Sequence, residues 1–361
     1  MLYIVIDDDF HQQRLKSWQP ILSPFNVIVI FLVIGISFIP AGIGLMNMSD
    51  SIYEDTIVYD SGSSADACSI TAQNQGRSCQ LDFIIKEDVD GPLYVYYGLT
   101  NFYQNHRLYV KSQSVKQLLN EEFSMKDVET QCAPMVYNNE SKLFYPCGLI
   151  ANSFFNDKIW FDYTNSGVNV KAMDETGIAW DSDFEKFKQP TGFDYKEVAS
   201  AAVTCGAVGL PNDCKLYTNP TTGTSYRYWY PNEDTTEYMY EKYYPLIDPT
   251  KGLQDEHFMV WMRTAALPKF RKLYGRIDGK FTKGQVLRFG VQANFEVKSF
   301  DGSKSLIIST INNMGGKNPY LGTAFVVVGA LSFLLTIMFV AKHVFSEKRK
   351  LGDTNLLRWD D

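Results

Sequence analysis

The sequence predicts a membrane protein in which two transmembrane helices flank a large, mainly antiparallel-β, disulfide-bonded ectodomain with short helices. Three observations carry that expectation. Two long runs of the 361-residue chain contain no charged side chain. All six cysteines fall between those runs. The same stretch holds several short strand candidates bounded by Gly, Asp and Asn, one of which, 287–298, alternates apolar and polar residues with the period of a half-buried strand. Composition is otherwise that of a folded protein, 45% hydrophobic and 14% aromatic, with no low-complexity tract. The net charge of -7 and the lack of a basic stripe interleaved with aromatics argue against nucleic-acid binding.

Residues 1–24 form a tail with Asp7, Asp8 and Asp9 against Arg14 and Lys16. Residues 25–46, FNVIVIFLVIGISFIPAGIGLM, are long enough to cross a hydrocarbon core of about 30 Å as a helix. A cleaved signal peptide fits less well, because its apolar core is typically about 7–15 residues and a basic flank precedes it. Residues 319–341 contain the second run, YLGTAFVVVGALSFLLTIMFVA, and residues 342–361 form the second tail. Soluble core helices rarely run this long without a charge. Lys342, Lys348, Arg349 and Lys350 make the second tail the more basic one, and two spans put both tails on one side, so both are expected in the cytosol. Residues 47–318 are then lumenal or extracellular.

Within that segment the cysteines fall in three close pairs, Cys68/Cys79, Cys132/Cys147 and Cys205/Cys214. An even number confined to an oxidising compartment reads as a disulfide framework. Sequential pairing is the simplest of the fifteen connectivities that six cysteines allow. Each bridge would contribute about 2.5–3 kcal/mol on the chain-entropy model. Two other uses of cysteine compete. Zinc fails on spacing, since there is no C-x-x-C and the lumenal histidines are His106 and His257. A nucleophilic Cys147 in FYPCGLIANSFFND would need one of those histidines beside it, and it defines a lumenal-enzyme alternative.

LDFIIKE, LYVYYGL, KIWFDY and VNVKA read as strands. LRFGVQANFEVK (287–298) alternates cleanly and is expected to form a hairpin with SLIISTI through Asp301-Gly302. SVKQLLNEEF (114–123) has helical spacing. The tyrosine-dense RYWYPNEDTTEYMYEKYYP (227–245) reads as a β-rich surface loop with aromatic packing, or as a partner interface, since Tyr and Trp favour such surfaces. Arg263, Lys269, Arg271, Lys272 and Arg276 read as a solvated basic face, or one that meets an acidic partner or lipid headgroups. Asn139-Glu-Ser is the expected glycosylation site, whereas Asn47-Met-Ser abuts the first span.

No motif for nucleotide, cofactor or metal binding is present, and nothing marks an acid/base pair, so neither catalysis nor a cofactor is expected. The spans hold no ionisable residue for an ion path. They do hold small ones. Gly322, Gly329 and Thr336 recur every seven positions on the second span, and Gly35, Gly42 and Gly44 lie around Pro40 on the first. Small stripes let helices approach closely, and packing against a larger membrane partner is the expected use.

Several stretches carry a resemblance: WQPI (18–21), GLTNFYQNHRLYVKS (98–112), PCGLIANSFFND (146–157), GIAW (177–180), WMRTAALPKFRKLYGRI (261–277) and NPYLG (318–322). In that order they resemble the accessory β-subunits of phospholipid flippases, the cell-division-cycle-fifty or ligand-effect-modulator family. The resemblance implies a non-catalytic partner of a type IV P-type ATPase that moves phospholipid from the exoplasmic to the cytosolic leaflet. It implies that the ectodomain covers the ATPase's exoplasmic loops, that the subunit is needed for exit from the endoplasmic reticulum, and that the complex reaches Golgi, endosome or plasma membrane. Cys68/Cys79 and Cys132/Cys147 correspond to family disulfide regions, whereas Cys205/Cys214 rests on spacing alone. Relatives often follow FND with Thr; Lys158 here removes that sequon at Asn156. The rival class is a two-span ion-channel subunit with a Cys-rich ectodomain.

Overall fold

The computed structural model describes residues 23–162, 170–207, 209–220 and 222–345. The WQPI stretch and most tail residues, including Lys348, Arg349 and Lys350, lie outside that range. The chain divides into a helix pair and a domain spanning Ile52–Gly316.

In chain order the elements are α1 (Pro24–Asp50), β1 (Glu54–Asp60), β2 (Arg77–Ile84), β3 (Val89–Asp90), β4 (Leu93–Thr100), α2 (Arg107–Lys111), α3 (Val115–Leu118), α4 (Met125–Cys132), β5 (Leu143–Tyr145) and α5 (Leu149–Asn152). Then come β6 (Lys158–Phe161), α6 (Asp181–Phe184), β7 (Asp194–Val198), β8 (Lys215–Thr218), β9 (Ser225–Trp229), β10 (Thr236–Tyr238), α7 (Met239–Lys242) and α8 (Glu256–Met262). Last are β11 (Phe270–Ile277), β12 (Lys280–Phe281), β13 (Val286–Ala293), β14 (Ser303–Ser309) and α9 (Tyr320–Phe345).

The long helices α1 and α9 contain 27 and 26 residues, each about a turn beyond its uncharged run. Ser23 starts α1: its hydroxyl accepts the Asn26 N–H at 3.3 Å, and Pro24 takes the first helical position, where its missing N–H costs nothing.

The domain is built on two antiparallel sheets, ordered β1-β14-β4-β11 and β2-β13-β6, with three smaller sheets beside them. Alternation sets which face is buried. Leu93, Val95, Tyr97 and Leu99 of β4 enter the same apolar core as Leu287, Phe289, Val291 and Ala293 of β13. Phe289 meets Phe83 edge-on at 5.6 Å and Phe161 at 5.0 Å, contacts that fix its neighbours in the sheet.

Four expectations are corrected here. Residues 287–309 do not form a hairpin, because β13 and β14 belong to different sheets. The Asp157 carboxylate accepts the N–H groups of Asn294 and Phe295 at 2.6 and 2.7 Å, so the ladder stops at Ala293. The chain then turns through Lys298–Phe300 and a left-handed Asp301 into the other sheet. The helix expected over 114–123 is only Val115–Leu118: Asn120 sits at φ 55°, and Glu121 N–H returns to the Lys116 carbonyl, a C-terminal cap that stops the helix. Of VNVKA, Val168 and Asn169 lie outside the described residues, and Val170 forms an isolated bridge to Gly279.

The tyrosine-dense stretch is the fourth correction: it carries strands and aromatic packing, but its tyrosines other than the exposed Tyr244 are core, not surface. Tyr228, Tyr230, Tyr238, Tyr240 and Tyr243 are all buried. Tyr230 packs 4.5 Å from both Phe193 and Tyr238, and 4.7 Å from Tyr240. Burial is tolerated because the hydroxyls find acceptors: Tyr230 donates to the Pro249 carbonyl, Tyr238 to Pro231 and Tyr243 to Asn152, at 2.7–2.9 Å.

Candidate functional site

Cys147 is bonded to Cys132, and likewise Cys68 to Cys79 and Cys205 to Cys214. A sulfur held in a disulfide is not a thiolate, so the nucleophile reading of Cys147 falls. Cys132 and Cys147 are fully buried with Val128, Val136 and Phe144 in a small cluster of their own. The neighbouring Gly148 has φ 103°, and a Cβ there would lie 2.2 Å from the Ser112 carbonyl oxygen. The backbone therefore passes where only glycine fits. Gln117, also fully buried, accepts the Cys147 N–H at 2.8 Å.

Ten residues on, Asp157 organises the junction between the two main sheets. It accepts from Asn294 and Phe295 as above, and its second oxygen accepts the Tyr59 hydroxyl at 2.8 Å and lies 2.9 Å from Lys304 Nζ. Lys304 also lies 3.4 Å from Asp60 and donates to the Phe295 carbonyl at 2.6 Å. Asp60, Asp157 and Lys304 are all fully buried. This ionic lock is structural, and it accounts for Asp157 in the FND stretch.

The basic stretch is not a uniform solvated face, because Lys272 is buried and its ammonium closes the end of α8. It donates to the carbonyls of Val260, Trp261 and Arg263 at 3.0, 2.6 and 2.5 Å. Burial pulls its pKa down to about 7, the Arg263 charge adding to the effect; three accepting carbonyls work in the opposite direction. Arg271 pairs with Glu54, and Arg276 with Asp174 and Asp278.

The glycine stripe meets the chain's own first helix. Gly322, Gly329, Ser332 and Thr336 are the buried residues of α9, and Gly35, Gly42 and Ser49 those of α1. A Cβ at Gly329 would come 2.7 Å from Ile39 Cγ1, and one at Gly322 2.9 Å from the Gly42 oxygen. Phe38 and Phe325 stack at 4.9 Å between these close approaches. Gly44, one of the glycines near Pro40 on the first span, faces open space: a Cβ added there would meet nothing within 4 Å. The face expected to meet a partner is thus used within the pair. Exposed Val33, Val328, Leu331 and Leu334 are on other faces.

Asn139 is exposed at the tip of a tight turn, where the Asn138 side chain accepts from Glu140 and Lys142 N–H. Asn47 lies inside α1, and Ser49 of its sequon is buried, accepting the Asn318 N–H at 3.0 Å. Among the described residues no group of His, Cys, Asp and Glu is arranged to hold a metal.

One arrangement escaped sequence reading. In GIAW the Glu256 carboxylate accepts the backbone N–H groups of Gly177, Ile178 and Ala179 at 2.8–3.1 Å, which holds this stretch against the start of α8. Trp180 is 63% exposed and stacks on the Arg263 guanidinium at 4.2 Å. The two residues lie far apart in the sequence, and no local pattern joins them.

Comparison with known proteins fits this architecture. A family model described as "LEM3 (ligand-effect modulator 3) family / CDC50 family" matches residues 45–350. The chain is 36% identical over 358 residues to "Cell cycle control protein 50A" of Bos taurus, covering 96% of this chain and 91% of that one. It is 33% identical to "ALA-interacting subunit 3" of Arabidopsis thaliana, covering 97% and 89%. It is 30% identical to "Phospholipid-transporting ATPase accessory subunit CRF1" of Saccharomyces cerevisiae, covering 98% and 88%.

Proposed function

The chain belongs to the LEM3/CDC50 family, and we propose that it is the non-catalytic β subunit of a type IV P-type ATPase that transports phospholipid. The observation that carries this reading is the family match over residues 45–350, which runs from the end of α1 through the whole domain and α9. The relative from yeast is named as an accessory subunit of a phospholipid-transporting ATPase. Two spans without a charge in their central turns offer no polar path of their own, so transport belongs to the larger partner.

The finer features follow from the same role. Both tails are cytosolic, on the strength of the basic residues after the second span. The 52–316 domain is lumenal, where its three disulfides are stable, and it covers the partner's exoplasmic loops. Asn139 carries the glycan, being exposed on a turn, whereas Asn47 within a helix end does not. The subunit accompanies the ATPase out of the endoplasmic reticulum and supports flipping from the exoplasmic to the cytosolic leaflet.

Affinity purification of the chain in mild detergent tests the reading. A P-type ATPase is the expected large subunit in the eluate. Recovery of the chain with only itself, together with ionic currents on expression alone, would favour the channel-subunit alternative.

A further inference from the structure

A cavity of about 250 Å³ opens on the lumenal domain between α3, the α6 turn and the end of α8. Val115, Leu118, Phe187 and Met262 give it apolar walls, and Asp183, Lys186 and Arg263 bring charge to it. Asp183 is only 2% exposed and is already engaged, 3.3 Å from Arg263 Nε and 3.2 Å from Lys186 Nζ. Two cations against one carboxylate leave the lining with one positive charge in surplus. Trp180 lies over the Arg263 guanidinium.

Folding accounts for the neighbours of this pair but not for the pair's exposed side. Ile178, Ala179, Trp261 and Met262 are buried, and the Trp261 indole N–H is satisfied by the Ile150 carbonyl at 2.7 Å. Trp180 leaves most of its ring in water, and Val115, which lines the cavity, is 52% exposed. An exposed tryptophan stacked on an arginine beside an apolar hollow is the composition that binding hot spots concentrate.

We propose that this cavity is an anchor for the catalytic partner: it receives an apolar side chain from one of that subunit's lumenal loops, with an adjacent carboxylate meeting Arg263 and Lys186. The inference rests on the accessory-subunit reading above. The single surplus positive charge matches one acidic residue. Walls of Val115, Leu118, Leu119, Phe187 and Met262 suit a protein side chain better than a phospholipid headgroup, whose polar atoms would lose water against them without replacement bonds.

The test uses the full chain co-expressed with its ATPase. A photo-crosslinking amino acid at Val115 should label a lumenal loop of the ATPase at a peptide containing Asp or Glu. Trp180→Ala should lower ATPase recovery roughly tenfold or more, the scale of a hot-spot residue, and Lys186→Glu should lower it as well. Non-reducing peptide maps and protease resistance of the lumenal domain should be unchanged in both, which separates lost docking from lost folding. A lipid adduct, no adduct, or undiminished recovery with a wild-type complex present would overturn the anchor alone. If the wild-type chain recovers no ATPase, the accessory-subunit reading fails and the anchor with it.

Discussion

In the helix pair the buried residues are small, Gly, Ser and Thr; in the Ile52–Gly316 domain they include the largest the chain has. Gly42, Gly322 and Gly329 let α1 and α9 approach until backbone meets backbone, and Gly35 makes room for the Phe333 ring. In the domain, by contrast, Trp261, Tyr59, Phe83, Phe258 and Phe289 are fully buried. The difference follows from the solvent. Water drives large apolar side chains together, at about 25 cal/mol per Å². Lipid does not, so helices in it gain by close van der Waals contact instead. Polar groups divide the same way. The domain buries the ionic lock of Lys304, Asp60 and Asp157, whereas the interface between the helices contains only Ser and Thr hydroxyls bonded to their own helix or its neighbour's end.

Breaking the lock should give the largest effect. Lys304→Met removes the cation and leaves two carboxylates dry, which should cost about 3–5 kcal/mol. Thermal unfolding of the full chain in detergent would show it; a loss below about 1 kcal/mol would mean that water reaches the site. Next come the disulfides. Loop closure treats Cys132–Cys147 and Cys205–Cys214 almost alike, at separations of 15 and 9 residues and about 3 kcal/mol each. Their surroundings differ, because the first is fully buried, whereas the second joins a partly exposed Cys205 to Cys214 just before β8, an edge strand of a small sheet. Replacing Cys132 and Cys147 by Ser should therefore lower stability throughout the domain, whereas the same change at Cys205 and Cys214 should raise protease cleavage mainly near residues 198–216. Equal global losses would contradict the distinction.

Overpacking the helix pair should cost less, about 1–3 kcal/mol. Gly322→Leu with Gly329→Leu should reduce disulfide cross-linking between cysteines placed at Phe38 and Phe325. Gly44→Leu, with open space around it, should leave the cross-link unchanged. If both variants behave alike, the stripe does not hold the pair. The smallest effect concerns pH. Burial alone would lower the His257 pKa, but the Glu175 carboxylate 3.0 Å from Nε2, with Asp255 and Glu256 nearby, raises it instead. A raised folded-state value means that this tie is fully present below the ordinary histidine pKa of about 6.5 and is lost as pH rises through the folded value. Amide exchange at Gly177–Ala179, corrected for its intrinsic pH dependence, should therefore quicken above about pH 6.5 in the native protein and not in His257→Gln.

How much of this could be read from the residues depends on range. The spans were legible because absence of charge over a helix's length is a local property, and the disulfide pairs because partners lie close in the chain. β13 was legible by alternation, and β4 by its β-branched and aromatic residues between turn residues. The failed hairpin was not: its decisive residue, Asp157, lies over a hundred positions before β14 and captures two backbone N–H groups that periodicity assigns to the sheet. The short α3 carried a readable signal in Asn120 just after Leu118 and Leu119, which was outweighed by the apolar spacing. The tyrosines of 227–245 misled because their polarity reads as surface, while in the fold their hydroxyls find acceptors, Pro231 and Glu233 within the stretch and Asn152 and Pro249 outside it. Trp180 and Arg263 meet only through the fold, and the glycine stripe announces close packing without saying which helix supplies it.

The account turns on phospholipid transport that depends on this chain, and uptake of a fluorescent phospholipid from the outer leaflet measures it most directly. Cells lacking the chain should take up the lipid slowly, recover on re-expression of the native chain, and show no new ionic current when the chain is expressed alone. Uptake that is the same with and without the chain, in cells where its ATPase is present and active, would contradict the assignment.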